Sequence, residues 1–324
     1  MPFDFAAVQT PFRMQPGLRR LSLGKPQLTP NRHGDRALRE KLAALTTHPQ
    51  SALLATPGFD VALALQALCE HAAAEQPAAF SAGPEGSWHA GLLGWSLVGG
   101  EAVGDGAPEI GFCLRALPGE WRLPALLSLA FAEDFAVIDA TSGRIPWLAV
   151  CLPSHWAPEA KVGRHFAEVH APVADNALLI GAAAHLMRLV TGVERWERFV
   201  WTITRSPNLN QHPVHDDAQY HGAARWPAAL DAAGLAAQAH FRTERQTFIP
   251  IPGQQQAIFT IHIEMHPLAP ALAVAADAQR VHDALASMSP AVLAYRGLAD
   301  ARERLLEWLH RRASMVDSSV DPAR

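Results

Sequence analysis

Cysteine is scarce and charge is thin in this chain. The three cysteines, Cys69, Cys113 and Cys151, are odd in number and far apart, which suits neither a disulfide framework nor paired zinc ligands. Charged residues make up 18% of the 324 residues, below the usual quarter. The net charge is only -4, with the basic residues scattered, so the basic patch or stripe of a duplex nucleic-acid binder is missing. No apolar run approaches the ~18 residues of a membrane span. Met1 leads into PFDFAAVQTPFRMQ rather than a positive segment followed by an apolar one, so no secretory signal is recognised and a soluble, cytoplasmic protein is expected. The Gly-rich phosphate loop, the dinucleotide fingerprint and the nucleophile elbow are all missing, which leaves nucleotide binding and serine hydrolysis without support.

What is there is apolar: 49% hydrophobic residues, enough for a sizeable core and too much for disorder over most of the chain. The length suits one large domain with embellishments, or two. Residues 1–34, rich in Pro, Gly, Arg and Gln, read as an irregular arm wrapped on the body. Leu38, Leu42 and Leu45 at helical spacing predict a helix over 35–45, and the Ala- and Leu-rich stretch 57–74 a second. The Gly- and Pro-punctuated region 76–108, holding Trp88, His89 and Trp95, reads as loops with short strands. From 109 the texture turns strand-like, with strands expected over 109–114, 131–140 and 147–152, the last two flanking the turn TSGRIP. A short helix around Lys161 and Phe166 follows, then a longer one over 176–190 between a capping Asn176 and Gly192, then a strand over 199–204. A polar loop, 205–222, precedes two strands around a turn at 241–264, and helices over 270–287 and 290–310 lead to a polar tail. Tight turns make the strands antiparallel. The expected class is therefore α+β, one curved antiparallel sheet with helices packed on it. The expected divisions are an N-terminal arm with a helical and loop region (1–108), a core (109–268), and C-terminal helices with a polar tail (269–324).

Three places carry candidate chemistry. His212 and His215, followed by Asp216, Asp217 and His221, are residue types that bind zinc or iron, but Pro213 between the histidines favours a solvated polar loop. His170 lies between Val169 and Ala171 at the end of a short helix. It is either a core histidine bonded to backbone or an axial ligand of haem iron, whose face needs apolar walls. In FRTERQTF (241–248), Arg242, Glu244 and Gln246 alternate with Thr243, Arg245 and Thr247. They form either a solvent-facing ladder of Arg–Glu pairs, each worth little, or a pocket whose buried charges are paired. In the next strand Ala257, Phe259, Ile261 and Ile263 share a core face. Ile258, Thr260, His262 and Glu264 share the other, which becomes polar like the mouth of a ligand pocket.

Read together, five segments in order resemble the haem-dependent oxidative N-demethylase alpha-subunit family. They are PFRMQPGL (11–18), AEDFAVID (132–139), LPSHWAPEAKVGRHFAEVHAPV (152–173), RTERQTFIPIP (242–252) and AIFTI (257–261). The third is similar to the family's PS-x-W, K-x-G and IH-x-PV run, and the fourth to its R-x-ERQT-x-x-x-LP run. The resemblance implies a PAS-like core over 109–268 holding haem b in this chain. It implies a monooxygenase that oxidises dimethylamine with O2 to methylamine and formaldehyde. The expected partners are reductase and folate-using subunits that bring FMN, a 2Fe–2S cluster, NADPH and tetrahydrofolate; no nucleic acid or membrane is expected.

The same resemblance implies site residues. His170 becomes the axial iron ligand, with His165 the fallback. Lys161 and Arg164 are expected at the haem propionates and Trp201 beside the cofactor. Arg242, Glu244, Arg245 and His262 are the catalytic candidates on the polar side of the pocket, where a basic or hydrogen-bonding group would meet O2 and a carboxylate the substrate ammonium. Two departures bear on the substrate. After FTI the family continues Arg-Thr-Tyr where this chain has His262, Ile263 and Glu264, and the family's Asn-Trp is Val200–Trp201 here. A haem or small-molecule sensor without turnover, or a subunit without haem, are the alternative functions on the same fold.

Overall fold

Two antiparallel sheets organise the chain in the computed structural model, which describes residues 3–214 and 226–314. In chain order the strands are β1 (Arg19–Arg20), β2 (Leu53–Ala55), β3 (Ser81–Ala82), β4 (Trp88–Ala90), β5 (Trp95–Val98), β6 (Glu101–Gly104), β7 (Asp134–Asp139), β8 (Arg144–Ala149), β9 (Trp196–Thr204), β10 (His240–Pro250) and β11 (Gln256–Pro267). The main sheet has seven strands in the order β1-β9-β10-β11-β7-β8-β2, and β3-β4-β5-β6 form the small one. Its edge strands β1 and β2 come from ahead of residue 109, so the N-terminal segment builds part of the main sheet.

Side chains alternate across a strand, which gives the main sheet two faces. On the front lie Trp196, Arg198, Val200 and Thr202 of β9, in register with Phe248, Gln246, Glu244 and Arg242 of β10. These in turn face Phe259, Ile261, Ile263 and Met265 of β11. On the back lie Phe199, Trp201 and Ile203, with Phe241, Thr243, Arg245 and Thr247, then Thr260, His262 and Glu264. At one end of the back face, Trp201, Ile203 and Phe241 pack with Leu235, Val281 and Leu305 from the helices Ala232–Gln238, Ala275–Ala286 and Arg302–Ala313. At the other end Phe135, Val137 and Ile258 join Leu38, Leu68 and Leu127 from helices of the N-terminal half. Each such fully buried side chain contributes about 1.5–3 kcal/mol. The front face is covered more lightly, by Phe166, Met187 and Val190 over Phe248 and Ile138, and by Trp156 and Val162 over Ala136 and Phe259.

The α+β class and antiparallel pairing hold, with corrections. There are two sheets where one was expected, because 76–108 contributes four short strands of its own. Residues 109–114 are helical, inside Pro108–Ala116. Pro108 at the first position, Glu109 in the first turn, and Ile110, Cys113, Leu114 and Leu117 at i, i+3, i+4, i+7 favour a helix over a short apolar strand. A further helix, Gly119–Ala130, follows directly. The stretch 176–190 is two helices, Ala177–Gly181 and Ala183–Val190, and Asn176 does not cap the first with its side chain. The expected 290–310 helix breaks at Gly297, whose φ of +64° and following Leu298 N–H to Leu293 carbonyl bond of 2.8 Å end the first piece. All three cysteines are free and buried. Among the described residues, no helix is long and apolar enough to cross a membrane.

Candidate functional site

The charged segment of β10 is buried, and its two kinds of residue do different work. Arg242 is 1% exposed. Its guanidinium donates to Ser154 Oγ at 2.8 Å and to the carbonyls of Leu209 (2.9 Å), Leu152 (3.1 Å) and Asn208 (3.3 Å). A buried cation needs such partners, and here they tie two loops to the front of the sheet. Ser154 passes the order on by donating to Glu244 Oε1. Gln246 Nε2 donates to the other carboxylate oxygen at 2.6 Å. Glu244 is thereby fixed from both sides, half-buried, opposite Val200 and Ile263. The turn that delivers Ser154 is strained, since His155 sits at φ +57°, a region costly for a residue with a Cβ.

One row along the sheet, the short helix Phe166–His170 meets the front face through Phe166, which clusters with Phe248, Phe259 and Trp196. Phe248 and Phe259 stack at 5.0 Å, worth about 0.5–1.5 kcal/mol beyond their burial. The helix starts because His165 Nδ1 accepts the Ala167 N–H at 3.2 Å while Glu168 accepts the His165 N–H at 2.9 Å, a reciprocal capping box. Four residues on, His170 Nδ1 lies 2.8 Å from the Phe166 carbonyl oxygen. A carbonyl only accepts, so Nδ1 carries the proton and the neutral ring keeps its lone pair on Nε2. Burial holds the His170 pKa below its ordinary value, and the charges of Arg198 and Lys161 push the same way against the Phe166 bond. Asn176 Nδ2 closes the turn by donating to the carbonyls of His170 (3.0 Å) and Ala171 (2.9 Å).

The catalytic quartet expected from the sequence divides between the faces. Arg242 and Glu244 are on the front. Arg245 and His262 are on the back, beneath the N-terminal arm. Arg245 donates to Glu197 Oε2 at 3.0 Å and to the Pro26 carbonyl at 2.7 Å, while Lys25 reaches the same carboxylate at 3.0 Å. His262 lies 3.3 Å from both Glu133 Oε1 and Thr29 Oγ1. The polar end of that face is therefore not a pocket mouth: Phe3, Phe199, Thr243, Arg245, His262 and Glu264 enclose about 10 Å³, room for about one water. Trp201 is also on the back, stacked 5.8 Å from Phe241. Lys161 is near the His170 helix, its Nζ donating to the Val169 carbonyl at 2.8 Å, and burial lowers its pKa. Arg164 is exposed. His165 serves as the helix cap and lines a groove of about 400 Å³ with Ser142, Gly143, Met187, Arg188 and Gln255.

Two front-face residues escape sequence reasoning: Ser154 and Arg198. Ser154 stands in the PSHW segment at 153–156, but its value lies in a partner 90 positions away. Arg198 follows from strand parity only once β9 is known to start at Trp196 rather than at 199. His212 differs from expectation as well. It is 4% exposed rather than solvated, with Nδ1 accepting the Val214 N–H at 3.2 Å and Nε2 donating to Glu159 at 3.0 Å. His215, Asp216, Asp217 and His221 lie outside the described residues.

The fold and the front face together define an α+β protein with a helix-borne neutral histidine near two half-buried cations, Lys161 and Arg198, over a seven-stranded antiparallel sheet. Residues 32–306 match the family of haem-dependent oxidative N-demethylase, alpha subunit-like proteins. The chain belongs to that family, which the five ordered segments resembled.

Proposed function

We propose that this chain is the haem-carrying oxygenase subunit of a system that oxidatively N-demethylates a small secondary amine. The observation that carries the reading is the state of His170. With Nδ1–H committed to the Phe166 carbonyl at 2.8 Å, the ring offers Nε2, the arrangement in which a histidine ligates haem iron with a backbone carbonyl behind it. The residues around it suit the group. Phe166, Phe248 and Phe259 supply apolar surface for a porphyrin, and Arg198 with Lys161 supplies positive charge for its carboxylates. A helix-borne histidine over one face of an antiparallel sheet supports a PAS-like description of the core.

When bound, haem supplies the activation of O2 that removal of an N-methyl group requires. The balance is one secondary amine R–NH–CH3, one O2, two electrons and two protons in, and R–NH2, formaldehyde and water out. The electrons are assigned to partner subunits carrying FMN and a 2Fe–2S cluster and using NADPH, with a tetrahydrofolate-using subunit alongside. The protein's own part is binding and orientation. Glu244 has one hydrogen bond on each oxygen and about four acceptor positions in all, so it can take the two N–H donors of a protonated secondary amine. Arg242 acts through Ser154 and is a positioning residue. Of the departures from the family pattern, Ile263 and Val200 share the front face, each directly opposite Glu244, with Ile263 5% exposed. An isoleucine in place of the family's threonine favours an amine with more alkyl surface than dimethylamine.

Titration of haem into the purified chain tests the reading. A Soret band should form and change in His170→Ala; no uptake at all would sink the proposal. Secondary amines should then perturb that band and release formaldehyde when NADPH and a reductase are supplied. Uptake without any amine response would leave a binding protein and remove the oxygenase assignment.

A further inference from the structure

Among the described residues, Arg198 has no ion-pair partner in contact. Its side chain is on the front face, where its strand neighbour across β10 is Gln246. Its Nε is buried and has no hydrogen-bond partner, and among the described residues no carboxylate lies within 4.0 Å of its guanidinium. Glu244, the diagonal neighbour across β10, attracts it through space, but both Glu244 oxygens are already engaged by Ser154 and Gln246. Two other cations share the region. Lys161 acts on His170 together with Arg198, and Arg296, which reaches the Trp201 carbonyl, also leaves a buried Nε unpartnered. Among the described residues, Glu244 is the carboxylate that acts on both Arg198 and Arg296.

A half-buried arginine whose Nε is buried and unpaired is costly to leave so, and a bound water, ion or ligand is what satisfies such an atom. The fork of an arginine matches a carboxylate. Its placement says which carboxylate. The row of the sheet next to Arg198 is Trp196 and Phe248, and that is the row on which Phe166, one helical turn before His170, packs. The unpaired fork and the histidine therefore open on the same part of the front face.

We propose that Arg198 is the carboxylate-binding residue of the site, pairing with a propionate of the porphyrin that His170 ligates. The inference rests on the haem reading above and goes beyond it by separating the porphyrin's acidic groups from its iron. Lys161 adds positive charge at the same end, while the exposed Arg164 does not take this role.

The test compares ferric haem with its dimethyl ester, which keeps the iron and the ring but has no carboxylate. Each is titrated into the wild-type chain, Arg198→Met, Arg198→Lys and His170→Ala, and followed by the Soret band and by quenching of tryptophan fluorescence. Wild type should prefer the diacid by tenfold to a hundredfold, the range of a charge-assisted hydrogen bond. Arg198→Met should lose most of that preference, down to what Lys161 supplies, while keeping the histidine-ligated Soret position. Arg198→Lys should recover part of the preference. His170→Ala should lose the ligated spectrum but retain the preference. Because the preference is a ratio within one variant, a partly unfolded preparation does not imitate the result. Equal binding of both porphyrins by wild type, or an undiminished preference in Arg198→Met, would overturn the Arg198 assignment and leave the haem reading standing. Failure of wild type to take up either porphyrin would overturn both.

Discussion

Glu133→Gln and His262→Gln separate two opposed proton equilibria beneath the arm. Glu133 is fully buried, its Oε2 accepting the Thr29 N–H at 2.9 Å and its Oε1 3.3 Å from His262 Nδ1. Burial pushes the Glu133 pKa from 4.5 up to about 7, and burial likewise pushes His262 from 6.5 down to about 4. Both groups are therefore neutral between those limits, a carboxylic acid beside a neutral imidazole. Each displacement corresponds to about 3 kcal/mol. For Glu133 the folded pKa is raised, so its contribution is fully present below pH 4.5 and is lost as the pH rises through 7. For His262 the folded pKa is lowered, so its contribution is fully present above pH 6.5 and is lost as the pH falls through 4. The two slopes oppose each other and nearly cancel between pH 4.5 and 6.5.

Single replacements unmask them. Urea unfolding followed by circular dichroism from pH 4 to 8 gives each variant's stability minus that of wild type, in which unrelated titrations drop out. The Glu133→Gln curve should rise by about 3 kcal/mol as the pH increases from 4.5 to 7, and the His262→Gln curve should fall by about as much from pH 4 to 6.5. Flat difference curves, or curves of the same sign, would refute the assignment of a neutral acid–imidazole pair. Neither replacement should move the Soret band, because both residues are on the back of the sheet.

Three further outcomes follow from the geometry. Arg245→Met removes the bonds to Glu197 and the Pro26 carbonyl and should cost about 2–4 kcal/mol, with faster proteolysis of residues 19–29 and an unchanged haem spectrum; a spectral shift as large as that of His170→Ala would place it in the pocket. Ser154→Ala leaves Glu244 held by Gln246 alone and deprives Arg242 Nε of its acceptor; a loss of about 1–3 kcal/mol and a raised KM for amine are expected, and an unaltered KM would separate Ser154 from substrate. Gly143→Ala meets a positive φ of +70° and a Cβ 2.3 Å from His165 Nε2, so it should disturb the cap of the His170 helix, cost about 1–3 kcal/mol and lower haem affinity; unchanged affinity would show that the cap does not position His170.

The class of fold was legible because alternation and turn chemistry are local. The hairpins around 140–143 and 251–255 and the alternating charges of β10 could be read from neighbours in the chain. Residues 109–114 were misread because six apolar-rich positions do not resolve a period of two from one of 3.6, and the register appears only when Leu117 is included. Gly297 was a readable helix stop that the run of apolar residues over 290–310 obscured. The site was less accessible. Ser154 meets Arg242 from 88 residues away, and Pro26 meets Arg245 from 219; no window along the chain contains both partners.

Parity explains why the run RTERQT at 242–247 serves two purposes. Its even-numbered members, Arg242, Glu244 and Gln246, build the carboxylate framework of the front face. Its odd-numbered ones, Arg245 and Thr247, hold the arm, Thr247 by accepting from Gln27 at 2.9 Å. A slip of one residue in register would exchange the two sets, so the arm's attachment and the Arg242–Ser154–Glu244 network depend on the same pairing of β9, β10 and β11. The charged strand is thus not a surface ladder. It is a partition with a separate buried network on each face, and charge type does not tell the faces apart: Arg242 and Arg245 are both buried and both bonded, three residues apart, on opposite sides.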